Sequence, residues 1–534
     1  MTPRPPPAVT SVTLVTLVGL ASLLDLGSAR CPGQCRCDRK ISDCSHARLD
    51  TVPIILNPRI HILRLQGNNI GSIEDTLGFY AHLLELDLSN NSLDSLLEQQ
   101  FVRQGDLQRL NLRKNRVTGL MRSTFEGLDR LTELDLSDNM LTTLEAGVFK
   151  WMERLKHLNL ARNRIRMISR DAFENVYELL TLELGENDIS HVPSDAFRHL
   201  GTLRVLRIGH NSLQEVPFHA FFMLQSLRNL TLAHNRIYRI HPEAFADLLE
   251  LRRLDIGFNE LDKFPATSLA LPGLEVLHAG GNRFSSLHVH HMDSLHRLRV
   301  LRVCHSQELS SVTGHIFSNN LLLEEVHLCE NPQLTWFPPE VVNTLPNLKV
   351  LNLGGNSLGT LENMTSLLQR VEAFNVSGNP LVCNCSAQWL WDLPAHLPNT
   401  SVLSPIRCVD SGRLLTELSE ADLGCGTWLA PLLVAVAAFV LVFCAIFVAL
   451  LLLRRRRRRD RQLTCIRDVR SYSNQWEDML SDADDVKGSR VFGDEVKASR
   501  MFTQVDPDYG SLSRLEHFTF QSPEHQKKIP VTVV

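Results

Sequence analysis

Apolar residues return along this chain in a fixed register: from Ile60 onward the pattern L-x-x-L-x-L-x-x-N-x-L recurs every 23 to 25 residues. Fourteen copies begin at Ile60, Leu83, Leu107, Leu131, Leu155, Leu179, Leu203, Leu227, Leu251, Leu274, Leu298, Leu323, Leu348 and Val371. In each copy apolar and polar positions alternate briefly, which predicts a short strand that buries one side and shows the other. Asn68, Asn91, Asn115, Asn139, Asn163, Asn187, Asn211, Asn235 and Asn259 share the position after that strand. A buried amide there can bond the backbone of neighbouring turns, so these residues predict a ladder. Phe101, Phe125, Phe149, Phe173, Phe197, Phe221 and Phe245 each precede the next copy by six residues and should stack as a spine on the opposite side.

Two longer apolar runs fall outside this register. Val9 to Leu24 follows Arg4 and leads to the small residues Gly27 and Ala29, which reads as a secretory signal over residues 1–29. Residues 427–453 form a stretch of 27 without a charge, enough for a membrane-spanning helix, and Arg454 to Arg459 follow at once. Because arginine blocks stay on the cytoplasmic side, this arrangement predicts a single-pass type I protein of the plasma membrane with its N-terminus outside. Six Asn-x-Ser/Thr sequons, at Asn90, Asn229, Asn363, Asn375, Asn384 and Asn399, all fall on the side expected to be extracellular.

A stack of repeats has open ends that would expose leucine, so it needs caps. Cys31, Cys35, Cys37 and Cys44 lie directly before the first copy, and Cys383, Cys385, Cys408 and Cys425 directly after the last. In an oxidising compartment these groups read as disulfide modules at residues 30–59 and 382–426 rather than as zinc sites. With the repeats at 60–381 between them, the chain resembles extracellular leucine-rich-repeat proteins of the 24-residue type with cysteine-rich flanks. The segment Gly378 to Cys385, with Trp389 and Trp391, is similar to the start of their C-terminal module. The resemblance implies an α/β solenoid, a horseshoe with a concave parallel sheet. It also implies cap disulfides pairing Cys31 with Cys37, Cys35 with Cys44, Cys383 with Cys408 and Cys385 with Cys425. In plan the chain is similar to adhesion receptors of the Tartan, Capricious and Connectin type, and more distantly to Toll-type receptors.

The repeat departs from its own rule in three places. Copy ten has Ala279 at an inward leucine position, and copy eleven has Ser306 where the asparagine belongs. Copies eleven and twelve carry Cys304 and Cys329 at one repeat position, so adjacent parallel strands should hold them about 4.8 Å apart. That separation permits a disulfide across the sheet.

Composition narrows the function. Lys+Arg 55 against Asp+Glu 59 gives a net charge of -4, so no global bias towards nucleic acid exists. No nucleophile and base pairing, metal-ligand spacing or phosphate loop is present, and a protein without enzymatic activity, cofactor or metal is expected. Outward positions of copies three to six alternate in sign: Arg109, Arg113 and Lys114, then Glu133, Asp135 and Asp138, then Lys156, His157 and Arg162, then Glu183 and Glu186. Such charges should pair laterally. Copies seven to nine instead present Arg204, Arg207, His210, Arg228, His234, Arg252 and Arg253 with only Asp255 opposing them, and Phe258 in the row of the two histidines. This basic stripe is the candidate surface for an extracellular protein partner, a second copy or a different receptor or ligand. A glycan on Asn229 would obstruct it.

The tail, residues 454–534, lacks apolar periodicity and is expected to be disordered. It ends in Thr532-Val533-Val534, a pattern that suits a cytoplasmic PDZ-type scaffold, and Tyr509-Gly510-Ser511-Leu512 fits a tyrosine-based endocytic signal. The whole reads as a cell-surface recognition or adhesion receptor that recruits cytoplasmic scaffolds. The alternative is a co-receptor or decoy that captures a soluble ligand and is internalised.

Overall fold

The computed structural model describes residues 31–74, 76–368, 370–396, 405–425 and 429–472. They form two units, divided between Trp428 and Leu429. In the first unit each copy of the repeat opens with a three-residue strand whose central apolar residue is buried, as Leu86 is in Glu85–Asp87 and Leu134 in Glu133–Asp135. Fourteen such strands lie parallel in one 16-stranded sheet, in the order of the sequence. The register sets leucine on leucine, Leu134 beside Leu158, Leu182, Leu206 and Leu230, so the period in sequence becomes a continuous buried row. No single repeat could bury its leucines alone; each does so against its neighbours.

The asparagines build the expected ladder. Asn163 Nδ2 donates to the carbonyls of Leu136 and Leu160, both at 3.0 Å, while its Oδ1 accepts from Leu141 N–H at 3.0 Å. Each amide thus ties its own turn to the preceding repeat, and the same set recurs at Asn115, Asn187 and Asn235. Phe101, Phe125, Phe149 and Phe173 stack with centroids 5.8 to 6.2 Å apart, as do Phe197, Phe221 and Phe245 at 6.0 to 6.4 Å, all of them buried. At copy eleven the ladder lacks a rung: Ser306 is buried and its Oγ has no partner, though its N–H still reaches Asn331 Oδ1 at 2.8 Å. Cys304 and Cys329 are joined beside that gap, with Cα atoms 4.5 Å apart.

The ends of the sheet are closed by other means. A hairpin, Arg36–Cys37 against Ile41–Asp43, adds two strands at the N-terminal edge, and Ile41–Asp43 pairs in parallel with Ile62–Arg64. Disulfides Cys31–Cys37 and Cys35–Cys44 hold that hairpin. Beyond Ala373–Asn375, the last strand, a helix at Gln388–His396 covers the edge; Trp389 Nε1 donates to Leu361 O at 3.2 Å and Trp391 Nε1 to Leu418 O at 2.9 Å. Cys383–Cys408 and Cys385–Cys425 tie this module together.

The second unit is one helix, Leu429–Tyr472, of which Leu432–Arg457 is long and apolar enough to cross a membrane. It does not stop at Arg454, where the tail was expected to become irregular. Arginine, glutamine and leucine are good helix formers, and no glycine or proline lies between Arg454 and Tyr472, so helical hydrogen bonding continues. The expected signal segment, Asn399, Tyr509, Leu512, Thr532 and Val534 lie outside the described residues.

Candidate partner-binding surface

The outward residues of the sheet have two jobs, and geometry separates them. In seven of the fourteen repeats the third strand residue is Asp or Asn, and its side chain turns back to accept the backbone N–H two residues on. Asp87 caps Ser89 at 2.9 Å, Asp135 caps Ser137 at 2.8 Å, Asn159 caps Ala161 at 3.1 Å and Asp255 caps Gly257 at 3.0 Å. These polar residues serve the fold. In the other seven no such cap forms: repeats six, seven and eight hold Glu183, Arg207 and Thr231, and repeats one, ten, eleven and twelve hold Arg64, His278, Arg302 and His327. The departure was legible as a break in a column of Asp and Asn, a signal visible only when the repeats are aligned on their strands.

Lateral pairing holds for part of copies three to six, while Lys114, Glu133, Asp135, Lys156 and His157 make no ion pair among the described residues. Arg109 meets Glu85 at 2.5 Å, Arg113 meets Asp138 at 2.8 Å, and Arg162 lies between Glu186 at 3.0 Å and Asp138 at 3.9 Å. Asp255, however, does not stand alone against the basic stripe of copies seven to nine. Arg207 is paired with Glu183, Arg228 with Glu250 at 3.0 Å and Arg252 with Glu275 at 2.7 Å. Extended guanidinium groups reach across one strand spacing to acids of the neighbouring repeat, or of the turn before it, that strand alternation alone does not bring into view. Among the described residues, Arg204 and Arg253 are the arginines of the stripe left without an ion pair. Both are exposed.

His210, His234 and Phe258 do come together. Their rings stack at 4.1 and 4.3 Å, inclined by 11° and 6°, and His305 adds a tilted ring 5.7 Å from Phe258. All four residues have left-handed backbone, with φ of 53°, 56°, 52° and 61°. Each repeat turns out of its strand through this conformation, which costs a bulky residue roughly 1–2 kcal/mol where glycine costs little. Gly281 occupies the same place in copy ten, and a Cβ there would stand 2.6 Å from the Phe258 ring, so glycine lets that ring lie across the turn. Partial burial lowers the His234 pKa, the nearby His210 lowers it further, and Asp255 opposes both.

The sequons fall in different settings. Asn90, Asn363 and Asn384 are exposed, whereas Asn229 and Asn375 are half-buried in strands, and Asn375 Nδ2 donates to Asn352 Oδ1 at 2.9 Å.

Comparison with known proteins places the repeats. The model of the leucine rich repeat matches residues 58–117, 105–165, 153–213, 201–261, 225–284, 296–357 and 321–381, more than half of the chain. Human tubulin-specific chaperone E is 28% identical over 167 residues, a match spanning 30% of this chain and 30% of that protein. Among solved structures, the TLR13 chain of a TLR13–ssRNA13 complex superposes with a TM-score of 0.57 at 22% identity, over 72% of this chain and 64% of that one. A leucine-rich-repeat protein of Leptospira interrogans gives 0.56 at 24% identity, over 68% of this chain and 94% of the other. The plant peptide hormone receptor RGFR1, in complex with RGF2, gives 0.52 at 23% identity, over 67% and 60%. This chain therefore spans less than two thirds of the chaperone, of TLR13 and of RGFR1. At such identities the structures speak for the fold, and with the repeat match they lead to one assignment: the chain belongs to the leucine-rich-repeat family.

Proposed function

We propose that this protein is a single-pass cell-surface recognition receptor that binds a protein partner through the open face of its repeat sheet. The observation that carries the reading is the exposed ring stack of His210, His234 and Phe258 beside the unpaired Arg204 and Arg253. Aromatic rings at strained backbone positions serve neither the ladder nor the spine, and exposed aromatic and arginine side chains are the usual anchors of interfaces. The domain plan supports it: a signal at 1–29, caps at 30–59 and 382–426, repeats between them, a span at 427–453 and a tail at 454–534 that recruits PDZ-type scaffolds through Thr532 and Val534. Structures of similar fold include the plant peptide hormone receptor RGFR1 in complex with RGF2, and partner binding is the role carried over from it. In this reading the receptor is of the Tartan, Capricious and Connectin type, glycosylated on its outer side at exposed sequons such as Asn90, Asn363 and Asn384 with the half-buried Asn229 left bare, and without chemistry of its own.

Mixing labelled, otherwise non-adherent cells that express the full chain tests the proposal. Clusters made only of expressing cells, lost in an Arg204→Glu, Arg253→Glu variant that still reaches the surface, are the expected result. Normal surface expression without clustering in the wild type would sink adhesion and favour capture of a soluble ligand, in which case Tyr509→Ala should prolong surface residence.

A further inference from the structure

Along the side of the sheet where the chain leaves its strands, a cleft of about 420 Å³ crosses repeats three to eight. Its floor is nearly free of side chains, running through Ser137, Ala161, Gly185 and Gly209, and it lies between two rows of residues. One row is the left-handed residues Arg162, Glu186 and His210; the other is the third strand positions Glu183, Arg207 and Thr231. Gly209 has to be glycine: a Cβ would stand 2.8 Å from the Ala233 carbonyl.

The floor changes character along its length. Asp135 and Asn159 satisfy the N–H groups of Ser137 and Ala161. Among the described residues, the N–H groups of Gly185, Gly209 and Ala233 have no acceptor, because Glu183, Arg207 and Thr231 do not cap them. In an open cleft such an N–H is left to water, which a carboxylate oxygen can replace with a charge-assisted hydrogen bond. The repeat itself shows what fits: in repeats two, four and nine the oxygen on this N–H belongs to the carboxylate of Asp87, Asp135 or Asp255.

We infer that this stretch of the cleft, over repeats six to eight, binds the carboxylates of an acidic, extended peptide segment of the protein partner, which take the place of the missing aspartates. The inference rests on the receptor reading above and names the chemistry of the partner. From Gly185 to Ala233 the row covers two strand spacings, about 10 Å, the reach of roughly three extended residues. Arg207 on one side of the floor and the imidazoles of His210 and His234 on the other add donors, while the acids within reach, Glu183 and Glu186, are already paired with Arg207 and Arg162. A sulfated glycan fits less well. Polyanion binding draws on a dense cationic field, and lateral pairing leaves few free arginines.

Substitutions at the third strand position separate this idea from plain charge attraction. Asn at that position caps the floor amide, as Asn111 caps Arg113 at 3.1 Å and Asn352 caps Gly354 at 3.0 Å, so the fold accepts it. Gln carries the same charge but is one methylene too long for that turn. Full-length protein in detergent micelles is titrated with a fluorescein-labelled hexaglutamate peptide, with hexaglutamine as control, and read by fluorescence anisotropy. Hexaglutamate should bind and hexaglutamine should not. Glu183→Asn should bind about tenfold more weakly than Glu183→Gln, and Arg207→Asn about tenfold more weakly than Arg207→Gln, the loss of one charge-assisted hydrogen bond. Loss of binding in Glu183→Asn relative to wild type is the most telling result, because removing an acid tightens binding if charge alone attracts the peptide. Equal affinities for the Asn and Gln versions, no binding by wild type, or displacement by heparin with no Asn–Gln difference would overturn the inference. Cell mixing keeps the two readings apart: wild-type cells that do not cluster count against adhesion alone, whereas clustering unchanged by Arg207→Asn removes the cleft from the contact.

Discussion

Deleting one rung of the ladder should loosen the solenoid locally by an amount the hydrogen bonds define. Asn163→Ala removes two donations, to Leu136 and Leu160, and strips Leu141 N–H of its acceptor, all at 3.0 Å and all buried. At roughly 1 kcal/mol net per bond the loss is about 3 kcal/mol, and the orphaned Leu141 amide sets the upper end. Repeat arrays open piecewise, so a global melt would blur this effect. Hydrogen exchange read by mass spectrometry on peptides spanning 136–144 resolves it: about 3 kcal/mol corresponds to exchange about a hundredfold faster at Leu141. Ser306→Ala supplies the internal control, because the Ser306 Oγ has no partner to lose. Its replacement should be neutral or slightly stabilising. Exchange at Leu141 changed by less than about threefold in Asn163→Ala, or a Ser306→Ala effect as large as that of Asn163→Ala, would refute the claim that the amides hold neighbouring turns together.

Three further outcomes follow from the same geometry. Cys304→Ser with Cys329→Ser opens a cross-link between residues 25 apart, worth about 3.5 kcal/mol in the chain-entropy account, and exchange should rise in repeats eleven and twelve first; a uniform change along the array would contradict that placement. Gly281→Ala combines a left-handed φ of 69° with a Cβ 2.6 Å from the Phe258 ring, so it should cost about 1–2 kcal/mol, and Phe258→Ala should relieve part of the cost in a double-mutant cycle; strict additivity would show that the ring does not press on this turn. His291 has its pKa lowered first by burial and then by His288 and His290, and His234 by burial and His210. The unfolded chain therefore binds more protons just below the ordinary histidine value of about 6.5, and stability falls as pH drops through that value, levelling off below the folded values. Thermal unfolding compared at pH 7.5 and 5.5 should show the loss, smaller in His291→Gln.

How far the sequence reaches is clearest at the repeats themselves. Leu134, Asn139 and Phe149 were assignable to core, ladder and spine because each role recurs at a fixed offset, and parallel strands in one register turn equal offsets into spatial neighbours. The fourteen repeat strands, their order in the sheet and the juxtaposition of Cys304 with Cys329 follow from that period alone, whereas the two strands of the N-terminal hairpin do not. The apolar stretch after Thr427 was equally plain, since twenty or more uncharged residues have few other uses. Its helical continuation through the arginine block was missed because charge was taken to mark an end, although arginine favours helix as readily as leucine does.

The surface was another matter. Arg228 meets Glu250 and Arg252 meets Glu275 because long side chains lean across a strand spacing, a direction that no 24-residue period encodes. The free amides of Gly185, Gly209 and Ala233 are set by which side chains turn back on the backbone, and the stack of His210, His234 and Phe258 by left-handed torsions shared across turns. By itself the sequence determined which residues are buried and which strand adjoins which, because burial and register repeat. Tertiary structure alone decided which outward groups are already satisfied and which remain open to a partner, because that depends on side-chain reach and backbone torsion at each turn.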